Sequence, residues 1–166
     1  MVVIFYLGYG CLHCAEQLQA FAPKYKAYSE AGITLVAIST DDVQNLKKSQ
    51  ERYKSDGEFP FQLLSDASLE TFKRYQAFDD FEGTPLHGTF LIDGNGKLRW
   101  HDTGSDPFMN VDFLLEESKR LLFPDRIERP KELELLDESS PVDALSPRNV
   151  FPVPSSGNDP STPKSA

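Results

Sequence analysis

The chain has 166 residues, a formal net charge of −9 and two cysteines. Its length allows one globular domain together with a shorter segment, and its acidic balance argues against a nucleic-acid surface. The longest apolar run, residues 2–7, is far shorter than a membrane-spanning helix requires, so we predict no membrane partner.

The first half of the chain predicts two strand–helix units. The run at residues 2–7 is typical of a strand buried on both faces, and it lacks the basic region of a secretory signal, so we expect a core strand. A helix is predicted over residues 14–31, kinked at Pro23 and ended by Gly32. Its apolar stripe consists of Leu18, Phe21, Tyr25 and Tyr28. Residues 33–39 predict a second strand, followed by the start of a weaker, more exposed helix.

The second half predicts the rest of one sheet and its covering helices. Residues 61–66 are strand-like and end in helix-capping residues, after which a third helix follows. Residues 87–92 predict another strand, and the Asp-Gly-Asn-Gly turn at residues 93–96 leads into a returning strand at residues 97–101. Apolar spacing over residues 111–122 predicts an amphipathic closing helix. This order favours an α/β protein, a thioredoxin-like three-layer α/β/α sandwich with a mixed central sheet.

The composition changes at the C-terminal end of the chain. From Pro124 onward the sequence holds eight of its twelve prolines and seven serines. We therefore predict a domain over residues 1–123 and an acidic, Pro/Ser-rich, mostly disordered tail over residues 124–166. Residues 132–137 are compatible with a helical turn or an acidic short motif.

Both cysteines lie in Cys11-Leu12-His13-Cys14, between the first strand and the first helix. A strand that runs into CxxC at the start of a helix is a dithiol redox arrangement. The unpaired N–H groups and the positive dipole end of a helix N-terminus stabilise a thiolate over a thiol. We therefore predict that Cys11 and Cys14 cycle between dithiol and disulfide. His13 lowers the thiol pKa and makes the disulfide more oxidising, or is a solvent-facing residue without effect.

Other uses of two cysteines fit the sequence less well. A structural zinc site needs two more ligands, and the histidines His13, His87 and His101 are not at paired spacing. Haem attachment requires a histidine directly after the second cysteine, where this chain has Ala15. A purely stabilising disulfide would close too short a loop to remove much chain entropy. We expect neither a metal nor a cofactor, and two inert buried cysteines are the plain alternative.

Four segments carry a family resemblance. They are Val3-Ile4-Phe5-Tyr6, Val36-Ala37-Ile38-Ser39 followed by Asp41, Phe61-Gln62-Leu63-Leu64-Ser65-Asp66, and His87-Gly88-Thr89-Phe90-Leu91-Ile92-Asp93. Together, across roughly residues 2–122, they resemble the peroxiredoxins of the alkyl hydroperoxide reductase and thiol-specific antioxidant family, and most closely a branch that carries CxxC. The resemblance implies a thioredoxin fold, thiol-dependent peroxide reduction and a dithiol electron donor such as a thioredoxin-type protein.

The chain departs from the family's P-x-x-x-T-x-x-C active site. In that register Leu7 stands at the proline, Cys11 at the threonine and Cys14 at the peroxidatic cysteine. His87 takes the place of the arginine expected beside that cysteine, where it donates to a peroxide or merely ends a strand. The resemblance thus implies that Cys14 attacks peroxide and that Cys11 condenses with its sulfenic acid. Thioredoxin chemistry implies the reverse, and exposure and first-turn N–H groups favour Cys11.

Two further positions bear on the family comparison. Met1 stands directly before the first strand, where the family has an N-terminal hairpin. Pro85 predicts an ordinary trans turn, because it lies too far upstream of Phe90 for the cis-proline that faces the dithiol in thioredoxins.

Three functions stay open on the sequence. The leading hypothesis is an enzyme, a peroxiredoxin-like thiol oxidoreductase that reduces peroxides. The second is a thioredoxin-like protein disulfide oxidoreductase, which the missing threonine and arginine favour. The third is a redox-inactive thioredoxin-fold binding module, against which the CxxC argues. A lone redox pair fits a reducing compartment, and we expect the cytoplasm.

Overall fold

The computed structural model of the protein describes residues 1–53 and 59–126. Its strands are β1 (Val2–Tyr6), β2 (Leu35–Ser39), β3 (Gln62–Ser65), β4 (Phe78–Asp79), β5 (Thr84–Pro85), β6 (His87–Ile92) and β7 (Leu98–Gly104). Its α-helices are α1 (Leu12–Phe21), α2 (Tyr25–Glu30), α3 (Val43–Tyr53), α4 (Glu70–Arg74) and α5 (Val111–Leu122). Single turns of 3-10 helix occur at Ala22–Lys24 and Pro124–Arg126.

The central sheet has five strands in the order β3-β2-β1-β6-β7. The β1–β2 and β2–β3 pairs are parallel, whereas β6 runs antiparallel to both β1 and β7. This is the mixed sheet that the sequence predicts, with two βαβ crossovers followed by a hairpin. Strands β4 and β5 form a separate two-stranded pair that the sequence did not predict.

Strand β1 is buried throughout because both faces of the sheet are covered. Its residues Val2, Ile4 and Tyr6 pack in a cluster with apolar side chains of α1, α2 and α5. Val3 and Phe5 face the opposite way, into a cluster that contains Phe72 of α4 and Phe90 of β6. Helices therefore lie on both sides of the sheet, and the predicted three-layer α/β/α sandwich is confirmed.

The first predicted helix is interrupted where Pro23 lies. The 3-10 turn Ala22–Lys24 separates α1 from α2, because proline lacks the N–H and its ring clashes with the preceding turn. The helix ends before Gly32, whose φ of +77° is left-handed. The expectation that Tyr25 belongs to the buried stripe is wrong: it is 36% exposed, since a 3-10 turn changes the helical phase.

The predicted tail falls almost entirely outside the described residues. Of residues 124–166 the structure describes only the turn Pro124–Arg126. The proposed helical turn or acidic motif at residues 132–137 also lies outside the described residues, so both stay predictions.

Candidate active site

Cys11 and Cys14 are joined as a disulfide at the N-terminus of α1. The helix begins at Leu12, two residues earlier than predicted, because Cys11 caps it: the Cys14 N–H donates to Cys11 Sγ at 3.2 Å. Leu7 N–H donates to Cys14 Sγ, also at 3.2 Å. Cys14 is fully buried and Cys11 is half-buried. Both sulfurs thus accept from backbone N–H groups, a setting that stabilises negative charge on sulfur.

His87, the first residue of β6, lies directly against the disulfide. The antiparallel pairing of Phe5 with Gly88 brings the start of β6 to the end of β1, where the loop to the cysteines begins. Its Nε2 is 3.3 Å from Cys14 Sγ and 3.8 Å from Cys11 Sγ. Sequence spacing gave no indication of this contact, since 73 residues separate His87 from Cys14.

The tautomer of His87 follows from its second nitrogen. Nδ1 is 2.8 Å from the carbonyl oxygen of Ser105, which can only accept, so Nδ1 carries the proton and donates. In the neutral ring, Nε2 is then a free base aimed at the two sulfurs. Burial lowers the pKa of His87, against the raising effects of the Ser105 carbonyl and of Asp106, and His13 lowers it further. The ring is therefore neutral near pH 7, and Nε2 is able to take a proton from a thiol once the disulfide is reduced.

The stability of the oxidised protein is expected to fall as the pH decreases from about 7.5 to about 5.5. In the unfolded chain His87 binds a proton as the pH falls through about 6.5, whereas the lowered pKa keeps the folded ring neutral to lower pH. The unfolded state then binds more protons, so the free energy of unfolding decreases, by at most about 1.4 kcal/mol per pH unit from this group. Urea unfolding of the oxidised protein at several pH values measures the slope.

The matched control is the exposed His101 on β7. His87→Asn should make the slope shallower than it is in His101→Asn. The same slope in His87→Asn as in the unsubstituted protein would contradict the assignment to His87.

Asp41 holds the loop between β1 and the cysteines. Its two carboxylate oxygens accept from Tyr9 N–H at 3.0 and 2.9 Å, and Oδ2 also accepts from Ser49 Oγ at 3.0 Å. Gly8 packs so closely that a Cβ added there would lie 2.5 Å from Asp41 Oδ1. The sequence assigned Asp41 only to the helix start and to a family-like segment. Its place just after β2 was the available signal, because the carboxyl ends of parallel strands meet at one edge of a sheet.

Gln17 ties α1 to the sheet one turn after Cys14. It is fully buried, and its Nε2 donates to Thr89 Oγ1 at 3.3 Å and to the Phe108 carbonyl at 3.0 Å. The sequence analysis did not single out Gln17. The available signal was a polar residue on the same helical face as the apolar Cys14 and Leu18. These bonds fix the orientation of α1, and so of Cys14, against β6.

Two other positions singled out in the sequence are His13 and Pro85. His13 is exposed, and among the described residues no hydrogen bond joins its ring to either sulfur; its predicted influence on the thiols stays a prediction. Pro85 follows a trans peptide bond, as do all described residues, and pairs with Phe78 across β4 and β5. Among the described residues, no helix is both long and apolar enough to cross a membrane.

Comparisons with known proteins place these features in a family context. Residues 1–101 match the AhpC/TSA family. The chain is 28% identical over 119 residues to Peroxiredoxin 2 of Thermoplasma acidophilum, covering 66% of this chain and 57% of that protein. It is also 28% identical over 127 residues to the mitochondrial thioredoxin-dependent peroxide reductase of Drosophila melanogaster, covering 74% of this chain and 54% of that protein. The chain thus spans a little over half the length of these curated relatives.

Solved structures share the fold. Xanthomonas campestris Peroxiredoxin Q superposes with a TM-score of 0.62 at 18% identity, covering 71% of this chain and 76% of that one. Mycobacterium bovis AhpC superposes with a TM-score of 0.64 at 19% identity, covering 72% of this chain and 67% of that one. The thioredoxin-like architecture predicted from the sequence is confirmed.

Proposed function

Because the chain belongs to the AhpC/TSA family, we propose that it is an enzyme that reduces peroxides through a Cys11–Cys14 dithiol/disulfide cycle. The observation that carries the proposal is the geometry of the pair: the cysteines are joined at a helix N-terminus, and His87 Nε2 lies 3.3 Å from Cys14 Sγ. Relatives named as peroxiredoxins and as a peroxide reductase support the choice of substrate.

The first step is attack by the Cys11 thiolate on a peroxide oxygen. Cys11 is half-buried whereas Cys14 is fully buried, so Cys11 is the sulfur that a peroxide reaches. The Cys14 N–H that points at Cys11 Sγ stabilises the thiolate. A sulfur–oxygen bond forms and the oxygen–oxygen bond breaks. The peroxide is reduced to an alcohol or water after its leaving oxygen takes a proton from solvent, and Cys11 is oxidised to a sulfenic acid.

The second step closes the disulfide. His87 Nε2 takes the proton of the Cys14 thiol, and the Cys14 thiolate attacks Cys11 Sγ. A sulfur–sulfur bond forms, the sulfur–oxygen bond breaks, and the departing hydroxide takes the proton from His87 and leaves as water. The 3.8 Å separation of Nε2 from Cys11 Sγ keeps the same ring near the leaving group. The register implied by the family resemblance reverses the two sulfurs, and the cysteine variants discussed below distinguish the two orders.

A dithiol donor then returns two electrons to the disulfide by thiol–disulfide exchange. The half-buried Cys11 sulfur is the one that a donor thiolate reaches. A thioredoxin-type protein is our choice of donor, supported by the name of the thioredoxin-dependent relative from Drosophila melanogaster. Such a cycle operates in a reducing compartment, so we place the protein in the cytoplasm.

The test compares two oxidants on the fully reduced protein. Hydrogen peroxide and, separately, a protein disulfide are added under anaerobic conditions, and free thiols are counted over time. We expect one peroxide to consume both thiols, at a rate at least about 10-fold above that of free cysteine at pH 7, where only a few per cent of free cysteine is thiolate. A peroxide rate equal to that of free cysteine would overturn the proposal.

The second candidate is a protein disulfide oxidoreductase. It is favoured by the surface beside the half-buried Cys11, where Leu12 is 67% exposed and available to a polypeptide substrate. Rapid thiol loss with the protein disulfide, together with a peroxide rate no better than that of free cysteine, would select it.

A further inference from the structure

We propose that the reduced protein binds one Zn²⁺ ion through the thiolates of Cys11 and Cys14 and the Nε2 of His87. This site uses the side chains of the proposed peroxide chemistry, but it does not rest on that activity. It requires only the dithiol form, in which both sulfurs are available as ligands.

The separations of the donor atoms suit a tetrahedral cation. The three donor atoms lie within 4.8 Å of one another. Zn–S bonds of about 2.3 Å and Zn–N bonds of about 2.0–2.1 Å place sulfur and nitrogen about 3.6 Å apart at a tetrahedral angle. His87 Nε2 is 3.3 Å from Cys14 Sγ and 3.8 Å from Cys11 Sγ, on either side of that distance. The nitrogen therefore already stands where a zinc-bound imidazole would stand.

Only the two sulfurs have to separate. Two thiolates on one zinc ion lie about 3.8 Å apart, and reduction breaks the bond that now joins them. The Cα atoms of Cys11 and Cys14 are 5.3 Å apart, so a rotation about Cα–Cβ moves the half-buried Cys11 sulfur outward while Cys14 keeps its place. No movement of β6 is needed.

The groups around the three ligands are those that hold zinc ligands in other proteins. A zinc-bound histidine commonly donates its second ring N–H to a carbonyl or carboxylate, which fixes the ring and its tautomer. Here His87 Nδ1 donates to the Ser105 carbonyl at 2.8 Å. The N–H groups of Leu7 and Cys14 point at the two sulfurs and stabilise the thiolate form.

Spacing along the chain hides one of the three zinc ligands, because His87 is far from the cysteines in sequence. The β1–β6 pairing brings it to them. With three protein ligands and a half-buried Cys11, the fourth position faces solvent and is filled by water, the arrangement of zinc sites that keep an open position.

The test uses the reduced protein with all 166 residues, freed of reductant without air. Zn²⁺ is titrated against a chromogenic chelator, and Co²⁺ is added separately as a spectroscopic probe. We expect one Zn²⁺ per chain, thiolate-to-cobalt charge-transfer absorption, and no binding by the oxidised protein. His87→Asn should weaken Zn²⁺ binding at least about tenfold, and Cys11→Ser at least as much, while the exposed His101→Asn should have no effect.

Two results would overturn the site. One is Zn²⁺ binding by His87→Asn with unchanged affinity, which would reduce the site to the dithiol alone. The other is the absence of stoichiometric binding by the reduced protein. Circular dichroism checks the folding of each variant, and Cys11→Ser, at a half-buried position, remains informative if His87→Asn fails to fold. Peroxide reactivity is measured in chelator-treated protein, so failure of either proposal leaves the other intact.

Discussion

Cys11→Ser is expected to lose its reaction with peroxide, at least about 10-fold in rate because the thiolate nucleophile is removed, whereas Cys14→Ser should still react once. The reason is access: Cys14 has no exposed surface, and Cys11 does. In Cys14→Ser the oxidised Cys11 has no thiol to condense with, so it should accumulate as a sulfenic acid. Dimedone labelling followed by mass spectrometry of the tryptic peptide measures it.

The two variants are well matched for this comparison. A serine at position 11 retains an oxygen that accepts from the Cys14 N–H, and serine is a favoured N-cap residue. The helix should therefore begin normally in Cys11→Ser, and its loss of reactivity would be chemical. A sulfenic acid found on Cys14 in Cys11→Ser, with Cys14→Ser inert, would reverse the order of attack and restore the register that the family resemblance implies.

Gly8→Ala is expected to destabilise the protein and to slow its peroxide reaction. Gly8 has a φ of +93°, a conformation that costs a residue with a side chain about 1–3 kcal/mol. The added Cβ would also lie 2.5 Å from the carboxylate of Asp41. That carboxylate is held by Tyr9 N–H and by Ser49 Oγ, so it cannot move aside without losing those bonds. Urea unfolding and the peroxide rate measure the two effects.

Gly10→Ala is the control that separates the cost of a positive φ from the steric clash with Asp41. Gly10 has a similar positive φ of +96°, but its added Cβ meets nothing within 4 Å. Both variants carry the backbone cost, and only Gly8→Ala carries the clash. Equal losses of stability in the two variants would show that Asp41 does not brace the loop.

The sequence was most informative where local patterns decide the structure. The apolar run of β1, the amphipathic spacing of α5 and the hairpin turn at residues 93–96 each depend on neighbours a few positions apart. The Cys11–Cys14 disulfide also depends on local sequence, because its two cysteines are only three positions apart. The interruption of the first helix at Pro23 was predictable for the same reason, since a proline disturbs a helix through its own ring.

Contacts between segments that are distant in sequence could not be predicted from local patterns. Strand β7 extends to Gly104, past the predicted end at residue 101, because its pairing with β6 continues to His87. That extension is what sets Ser105 beside the His87 ring and fixes its tautomer. The bracing role of Asp41 likewise depends on β2 lying next to β1. His13 is exposed, and its influence on the thiols stays a prediction.

The pairing of β1 with β6 also sets the order in which the site comes into being. Both thiols lie within the first 14 residues, but the strand that carries their base begins at residue 87. Closing so long a loop is slow compared with forming a local turn. During synthesis the two cysteines therefore lack the imidazole of His87 until the segment that carries it has been made. The docking of β6 against β1 is the step that brings this base to the two sulfurs.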